Sequence, residues 1–240
     1  MSESFVAPAK TETEHPGSLA AAPGVAAFFD MDNTVLRSSS GRLYLKYLRK
    51  NGYLSWPRWI VITGQIGLYV TGLIDFPHLM ARLMGQVAGA DEARTWRISE
   101  AWFREMLRDY IAGGARERIE WHRSRSHHVA LVSASTPYAV KPVAHDLGLA
   151  DAYLATRLEV LSGRFTGRVV EPACYGPGKV VMTRAYAAQH KIELARSYFY
   201  TDSHHDLPLL EAVGHPVAVN PNRKLARVAS ERKWPVVYFY

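Results

Sequence analysis

The chain has 240 residues, of which 48% are hydrophobic and 21% are charged, proportions that are ordinary for a folded globular protein. That length is enough for one large α/β domain, or for a core domain with a smaller inserted one. The single cysteine, Cys174, excludes a disulfide framework and a zinc site built from several cysteines. The 29 basic and 22 acidic residues give a formal charge of +7, but the basic residues are scattered and match no nucleic-acid-binding module. We therefore interpret the charge as a solvated basic surface that can help to recruit a phosphorylated substrate, and we expect no nucleic-acid partner.

Residues 1–24 are rich in Ala, Pro, Glu, Thr and Ser and have no hydrophobic periodicity. This composition favours a mobile, disordered N-terminal tail. A secretory signal would have a cationic start followed by an apolar run, and this segment has neither. We therefore expect a cytoplasmic protein.

Short apolar runs along the rest of the chain predict buried parallel strands. The five runs are residues 25–29, 128–133, 197–202, 216–220 and 235–240, the last favouring an edge strand. Helical patterns lie between them, at residues 139–147, 179–190 and 206–213. Strand alternating with helix predicts an α/β fold, in which a parallel sheet carries helices on both faces.

Two stretches interrupt this alternation. Residues 30–127 separate the first two predicted strands, and one crossover helix needs far fewer. Because residues 38–121 have helical periodicity, we predict that they form an inserted helical cap, and that residues 25–37 and 122–240 form the core. Residues 156–179 contain the pair Ser162-Gly163 between two strand-like runs, which predicts a β-hairpin.

One segment of the predicted cap carries no formal charge over 16 residues, 59–74. It is compatible with a buried cap helix, with an interfacial segment that has basic flanks, or with a short membrane span. A span needs about 20 mostly apolar residues, so the segment is short for that role. We take the buried cap helix as the working interpretation and keep membrane contact through residues 59–74 as the alternative.

Polar side chains follow three of the predicted strands. They are Asp30 and Asp32 after the first strand, Ser133 at the end of the second, and Asp202 and Asp206 after the third. The carboxyl ends of parallel strands meet at one edge of a sheet, which is where ligands bind in such folds. Asp30 and Asp32 are two residues apart, so both side chains leave the same face of the chain. Such a pair suits a nucleophile and a general acid, one ionised and the other able to carry a proton.

The remaining polar residues at this edge have complementary chemistry. Asp202 and Asp206 provide hard oxygen ligands of the kind that Mg²⁺ prefers. The Ser133 hydroxyl and the Ala134 amide lie at a predicted loop before a helix, a natural anion site. Lys179, in Gly-Pro-Gly-Lys, brings a cation to the same edge. Each residue alone also has a purely structural interpretation, as a helix cap, a strand-terminating serine or a solvated lysine.

Together, four motifs resemble the haloacid dehalogenase superfamily, and most closely the phosphoserine-phosphatase-like hydrolases of its subfamily IB. The motifs are Asp30-Met-Asp32-Asn-Thr34, Leu-Val-Ser133-Ala-Ser, Lys179 and Thr-Asp202-Ser-His-His-Asp206. The likeness spans residues 25–240. It implies a Rossmann-like three-layer core with a helical cap inserted after the first motif, and Mg²⁺-dependent hydrolysis of a phosphate monoester.

The resemblance also implies roles for the matched residues. Asp30 attacks phosphorus to give an aspartyl-phosphate, and Asp32 protonates the leaving group before activating a water molecule. The phosphate-binding residues are Ser133, Ala134, Lys179 and Thr34. Mg²⁺ is bound by the Asp30 carboxylate, the Asp32 main-chain carbonyl and Asp202, with Asp206 in support.

The sequence indicates the reaction more clearly than it indicates the substrate. Relatives that act on phosphoserine carry a glutamate shortly after the first motif, where this chain has no acid in residues 37–42, and an asparagine where it has His205. We expect a small phosphorylated metabolite, such as phosphoserine, histidinol phosphate or a sugar phosphate. The alternatives are a lipid-phosphate phosphatase at a membrane and a catalytically silent binding protein.

Overall fold

The computed structural model describes residues 24–240. The predicted N-terminal tail therefore lies outside the described residues, except for Gly24. The Gly24 amide donates to the carbonyl of Lys191 at 2.8 Å, and its own carbonyl accepts from the amide of Glu193 at 3.0 Å. The chain thus joins the fold immediately before its first strand.

The described residues form eight strands. They are β1 (Ala26–Phe29), β2 (His128–Ser133), β3 (Tyr153–Ala155), β4 (Leu158–Leu161), β5 (Arg164–Val169), β6 (Tyr198–Thr201), β7 (His215–Val219) and β8 (Val236–Val237). Six of them make one parallel sheet in the order β3-β2-β1-β6-β7-β8. The fully buried β1 is central, with β2 on one side and β6 on the other. This arrangement confirms the predicted α/β fold and places the ends of β1, β2 and β6 side by side.

Five of the six sheet strands were predicted, and β3 was missed. It has only three residues and lies at the edge of the sheet, where it pairs with Leu131, Val132 and Ser133 of β2. So short an apolar run has no periodicity of its own, and the long-range pairing makes it a strand.

Helices cover both faces of the sheet and build the insert. They are α1 (Ser40–Lys50), α2 (Trp56–Val70), α3 (Phe76–Gly85), α4 (Glu92–Glu105), α5 (Gly113–Arg123), α6 (Pro137–Asp146), α7 (Pro177–Gln189), α8 (Leu207–Leu210) and α9 (Arg223–Arg232). The predicted cap boundary between residues 121 and 122 falls inside α5, a helix that packs against β2. Helices α1 to α4 all lie between β1 and that point.

The apolar core has two halves, one on each face of the sheet. Successive strand residues point to opposite faces, so Phe29 belongs to the cluster that includes Trp102 of α4, and Phe28 to the cluster that includes Leu209 of α8. Trp102 is 1% exposed. Helix α4 of the insert is therefore anchored in the same core as the sheet.

The predicted hairpin is present as the antiparallel pair β4 and β5. Its turn residues, Ser162 (φ 50°) and Gly163 (φ 74°), both have positive φ, as the tightest hairpin turns require. Strand β5 packs against α3 of the insert, which ties the cap to the core.

The working interpretation of residues 59–74 was wrong in one respect. Most of the segment is helix α2, as predicted, but none of its described side chains is buried. Contacts with α1 and α3 cover only one side of it. Within residues 24–240, no helix combines the length and the apolar character that crossing a bilayer would take.

Candidate active site

The chain turns sharply where β1 ends, and this turn carries two carboxylates. The Asp30 amide donates to the carbonyl of Tyr200 in β6 at 2.8 Å, which fixes the start of the turn to the sheet. Asp32 is extended (φ −72°, ψ 130°), whereas Asn33 is left-handed (φ 54°, ψ 10°), a conformation that asparagine adopts more readily than most residues. The Leu36 amide closes the turn on the carbonyl of Met31 at 2.8 Å.

A buried lysine joins the first and last motifs. The Lys179 Nζ atom lies 2.7 Å from Asp30 Oδ1 and 2.7 Å from Asp206 Oδ2, and the side chain is 2% exposed. The Thr201 hydroxyl also donates to Asp206 Oδ2, at 2.7 Å. Burial alone would lower the pKa of Lys179, but the carboxylates of Asp206 and Asp30 outweigh it and raise that pKa above its ordinary value. The lysine is therefore a fixed positive charge at the end of β1.

Asp202 and Thr34 complete this side of the site. The Asp202 amide donates to Thr34 Oγ1 at 3.0 Å, and the Thr34 hydroxyl lies 3.4 Å from Asp30 Oδ2, to which it donates. Burial, with the negative charges of Asp30 and Asp206, raises the pKa of Asp202 to about 8. Burial also raises the pKa of Asp30 to about 7, although Lys179 opposes the shift. These carboxylates are short of positive charge, which favours a cation beside them.

Asp32 has a different set of partners. Its Oδ1 accepts from the Ser40 amide at 2.8 Å, and its Oδ2 accepts from the Ser40 hydroxyl at 3.0 Å and from the Ser135 hydroxyl at 3.2 Å. The two hydroxyl oxygens are 2.9 Å apart. Burial raises the pKa of Asp32, and these hydrogen bonds partly offset that effect. Ser40 is the first residue of α1, so a cap helix and the loop after β2 both hold this carboxylate.

The predicted phosphate-binding loop lies between β2 and α6. Ser133 is 1% exposed, and its Oγ accepts from the Ser135 amide at 3.1 Å. Ala134 is half-buried in the same loop. Since β2 is the direct neighbour of β1, the predicted residues Asp30, Ser133 and Lys179 reach one edge of the sheet, as the sequence indicated.

Three residues that sequence reasoning missed also contribute. Ser40 and Ser135 hold Asp32, and the Tyr240 hydroxyl donates to the carbonyl of Asn33 at 3.0 Å. Ser135 lies in a recognised motif, and Ser40 in the run of serines at 38–40, so both had a weak signal. Tyr240 had none, because nothing in the sequence places it beside a turn that is 207 residues away.

One side-chain contact links helix α2 to the loop that precedes α7. Tyr69 of α2 forms a side-chain hydrogen bond with Tyr175, which precedes α7, and burial together with this bond raises the pKa of Tyr175. The ring of Tyr175 lies 5.4 Å from that of His205, which is exposed. Aromatic side chains from both parts of the protein therefore meet beside the Lys179 loop.

The donor set fits a hard divalent cation. In residues 24–240, no three His, Cys, Asp or Glu side chains form a metal-binding cluster. The predicted set is of another kind, since it has two carboxylates, Asp30 and Asp202, and the main-chain carbonyl of Asp32. The Asp32 carboxylate instead accepts hydrogen bonds from Ser40 and Ser135. Oxygen donors with excess negative charge suit Mg²⁺, which keeps several waters in its coordination shell.

Comparison with known proteins is consistent with this chemistry. The sequence model of the haloacid dehalogenase-like hydrolase family matches residues 27–211. A probable phosphatase of Mycobacterium tuberculosis H37Rv is 35% identical over 96% of this chain and 80% of its own length. A phosphoserine phosphatase of the same strain is 32% identical over 96% of this chain and 75% of its own. A histidinol-phosphatase of Neisseria meningitidis serogroup C is 28% identical over 89% of this chain and 98% of its own.

Solved structures show the same fold. A protein of unknown function from Bordetella pertussis Tohama I superimposes with a TM-score of 0.84 and 28% identity, over 91% of this chain and all of that one. A substrate-bound phosphoserine phosphatase superimposes with a TM-score of 0.65 and 18% identity, over 90% of this chain and 93% of that one. With the family match and the relatives named as phosphatases, the conclusion is that this chain belongs to the haloacid dehalogenase-like hydrolase family and is a phosphatase.

Proposed function

We propose that the protein hydrolyses the phosphate monoester of a small metabolite, with Mg²⁺ as cofactor, through an aspartyl-phosphate on Asp30. One observation carries the proposal: the Asp30 carboxylate lies at the end of the central strand, with the Lys179 ammonium on one oxygen and Asp32 two residues away. Nucleophile, positive charge and proton donor thus occupy one turn and its immediate surroundings.

The first step follows from the partners of Asp30. Lys179 fixes Oδ1 and Thr34 lies near Oδ2, so the carboxylate is held in one orientation. An oxygen of Asp30 attacks phosphorus, the bond from phosphorus to the ester oxygen breaks, and Asp32 gives its proton to the departing alkoxide. In the second step, water loses a proton to Asp32 and attacks the aspartyl-phosphate. This releases inorganic phosphate, regenerates the Asp30 carboxylate and returns Asp32 to its protonated form.

The hydroxyls around Asp32 suit both of its protonation states. When Asp32 is ionised, Ser40 and Ser135 can both donate to Oδ2. When Asp32 is protonated, its O–H can donate to one hydroxyl, which then donates to the other across 2.9 Å. Asp32 can therefore gain and lose a proton while its hydrogen-bonded partners stay in place, as a residue that serves first as acid and then as base must do.

Charge on the phosphoryl group is balanced by the other residues at this edge. The Lys179 ammonium, the Ser133 hydroxyl, the Ala134 amide and Thr34 form the phosphate-binding set that we infer. Phosphoryl transfer depends mainly on such positioning and charge stabilisation. The residues that would hold Mg²⁺ are Asp30, the Asp32 carbonyl and Asp202, with Asp206 in support through Lys179; the ion would neutralise charge on the phosphoryl oxygens.

The names of the relatives support a small substrate. One is a phosphoserine phosphatase and one a histidinol-phosphatase, and both names describe phosphate esters of compact amines. This chain offers no carboxylate in residues 37–42. We therefore place histidinol phosphate, phosphoserine and small sugar phosphates together as candidates.

The test is phosphate release from these esters and from p-nitrophenyl phosphate, with Mg²⁺ and with a chelator. We expect turnover that needs Mg²⁺, and its loss in Asp30→Asn by at least about a thousandfold, because the nucleophile is gone. Acid-quenched enzyme should carry an acyl phosphate on Asp30, detected by mass spectrometry. Asp151→Asn, at an exposed aspartate on the surface, is the matched control and should keep full activity. Turnover that survives in Asp30→Asn would disprove the mechanism.

A further inference from the structure

Helix α2 exposes apolar residues on the side where a globular protein normally places polar ones. Apart from Arg58, its exposed positions share one arc of about 140° when residues are plotted at 100° intervals. They are Trp56, Pro57, Ile60, Val61, Gly64, Gly67 and Leu68. The polar residues Thr63 and Gln65 lie at the two borders of this arc, and the opposite, half-covered side carries Trp59, Ile62, Ile66 and Tyr69. The helix is therefore apolar on both sides, and its exposed side lacks the polar residues that a surface helix normally presents.

Two neighbouring residues enlarge this surface. Tyr53, in the turn before α2, is 50% exposed, and Leu73, after it, is 73% exposed. We call these two residues and the exposed side chains of Trp56, Ile60, Val61 and Leu68 the apolar face. A contiguous apolar surface of this kind usually marks an interaction site.

A basic rim borders the apolar face. Its members are exposed and belong to α1 and the start of α2: Arg42, Lys46, Arg49, Lys50 and Arg58. None of them forms an ion pair with another described residue. Residues 33–74 contain no aspartate or glutamate. The charged residues of this stretch of the chain are thus all positive.

Arginine and tryptophan meet where the rim joins the face. The guanidinium carbon of Arg49 lies 4.3 Å from the ring centre of Trp56 and 4.6 Å from that of Trp59. The two indole rings stack with their centres 5.0 Å apart. This cluster holds a cation beside exposed aromatic rings, which suits the boundary between lipid headgroups and acyl chains.

We propose that the apolar face docks on the surface of a bilayer that contains anionic phospholipids. Apolar side chains would enter the headgroup region while the basic rim contacts lipid phosphates, as in helices that lie in the plane of a membrane. A second copy of the chain fits less well, because pairing two such faces would bring two wholly basic rims together. The inference is independent of the proposed chemistry, since no residue of the apolar face belongs to the candidate active site.

Docking would also bring the candidate site close to the membrane. Tyr69 follows Leu68 in α2 and is hydrogen-bonded to Tyr175, which is four residues before Lys179. The docked helix would therefore remain attached to the loop that carries the lysine.

Flotation of the full chain with vesicles tests the proposal. We expect it to rise with vesicles of equal parts phosphatidylcholine and phosphatidylglycerol and to stay behind with phosphatidylcholine alone. Ile60→Asp should abolish flotation, because it places a charge in the apolar face. The matched control is Val181→Asp in α7, where the valine is 56% exposed against 49% for Ile60; it should float like the unaltered chain.

Two double substitutions that remove the same net charge test the basic rim. Lys46→Gln with Lys50→Gln should weaken vesicle binding about fivefold per lysine, whereas Lys191→Gln with Lys233→Gln removes the same net charge elsewhere and should have little effect. Thermal unfolding of each variant confirms that it is folded. Equal flotation of the Ile60 and Val181 variants, or no flotation with either vesicle, would overturn the proposal. So would a dimer in sedimentation that Ile60→Asp dissociates, since it would assign the face to a second copy.

Discussion

Asp30 and Asp32 lie on one turn, yet the structure gives them opposite surroundings. Asp30 meets a buried ammonium, which favours its ionised form. Asp32 is hydrogen-bonded by an amide and two hydroxyls. These partners are compatible with both the ionised and the protonated form of its carboxyl group. The roles that we propose for them, nucleophile and proton donor, therefore rest on their hydrogen-bond partners, because their positions in the chain are almost equivalent.

A prediction at this scale concerns Asp32→Asn. Without its proton donor, the enzyme should form the aspartyl-phosphate about a hundredfold to ten-thousandfold more slowly from an alkyl ester such as phosphoserine. The loss should be much smaller for p-nitrophenyl phosphate, because p-nitrophenolate leaves without being protonated. Single-turnover phosphorylation of the protein with each ester measures the difference. An equal loss for both esters would show that Asp32 does not donate the proton.

The site residues that the sequence predicted differ from those that it missed in what brings them to the site. Asp30, Lys179 and Asp202 follow predicted strands or begin a predicted helix, so the topology of a parallel sheet brings them together. Ser40 and Tyr240 reach the site through side-chain orientation and long-range packing, neither of which one sequence encodes in a readable pattern. Their contacts with Asp32 and Asn33 exist only in the folded chain.

At the scale of elements, α7 positions Lys179 through close packing at its first turn. A Cβ atom placed on Gly178 would overlap the carbonyl oxygen of Ala173. Only glycine lets the helix start so close to the preceding loop. Since Lys179 is the next residue, the same contact fixes the position of its side chain relative to Asp30 and Asp206.

We therefore expect Gly178→Ala to destabilise the fold by about 1–3 kcal/mol, because the backbone must move to relieve the overlap. Activity should fall as well, because α7 carries Lys179 with it. Chemical denaturation and kcat/KM measure the two effects. Gly64→Ala is the control, since its Cβ would meet open space in a helix, and it should stabilise the protein by about 0.5–1 kcal/mol. Unchanged stability in Gly178→Ala would refute this account of the turn.

The elements also show where sequence patterns stop being informative. Buried parallel strands are continuous apolar runs, so β1, β2, β6 and β7 were predictable. The apolar residues of α2 predicted a helix correctly but not which side other elements would cover. Coverage depends on the placement of α1 and α3, which is a tertiary property.

At the scale of the whole molecule, a buried histidine connects the surface to the central sheet. His122 is fully buried; its Nδ1 lies 2.9 Å from His127 Nδ1 and its Nε2 lies 2.8 Å from the Tyr200 hydroxyl. Burial, with the neighbouring His127, Arg118 and Arg125, lowers the pKa of His122 to about 3 from its ordinary 6.5. The native protein therefore keeps this residue neutral.

The stability of the protein should depend on pH accordingly. Between pH 6.5 and about 3, the unfolded chain binds a proton at His122 that the folded chain excludes. The free energy of unfolding should therefore fall as pH falls, by up to about 1.4 kcal/mol per pH unit from this residue. His122→Gln should remove that part of the slope, whereas His145→Gln, at an exposed histidine, should not. Equal slopes in denaturant titrations of the unaltered chain and His122→Gln would contradict the assignment.

The central position of β1 has a consequence for local unfolding. Its residues are hydrogen-bonded on both sides, and the Asp30 amide is held by the neighbouring β6, so amide exchange there requires opening of the whole sheet. Among the side chains that the structure describes, α2 buries none and α3 buries only Leu79, so we expect both helices to open at lower free energy than β1. We therefore expect α2 and α3 to open locally while Asp30, Lys179 and Asp206 stay in contact with one another.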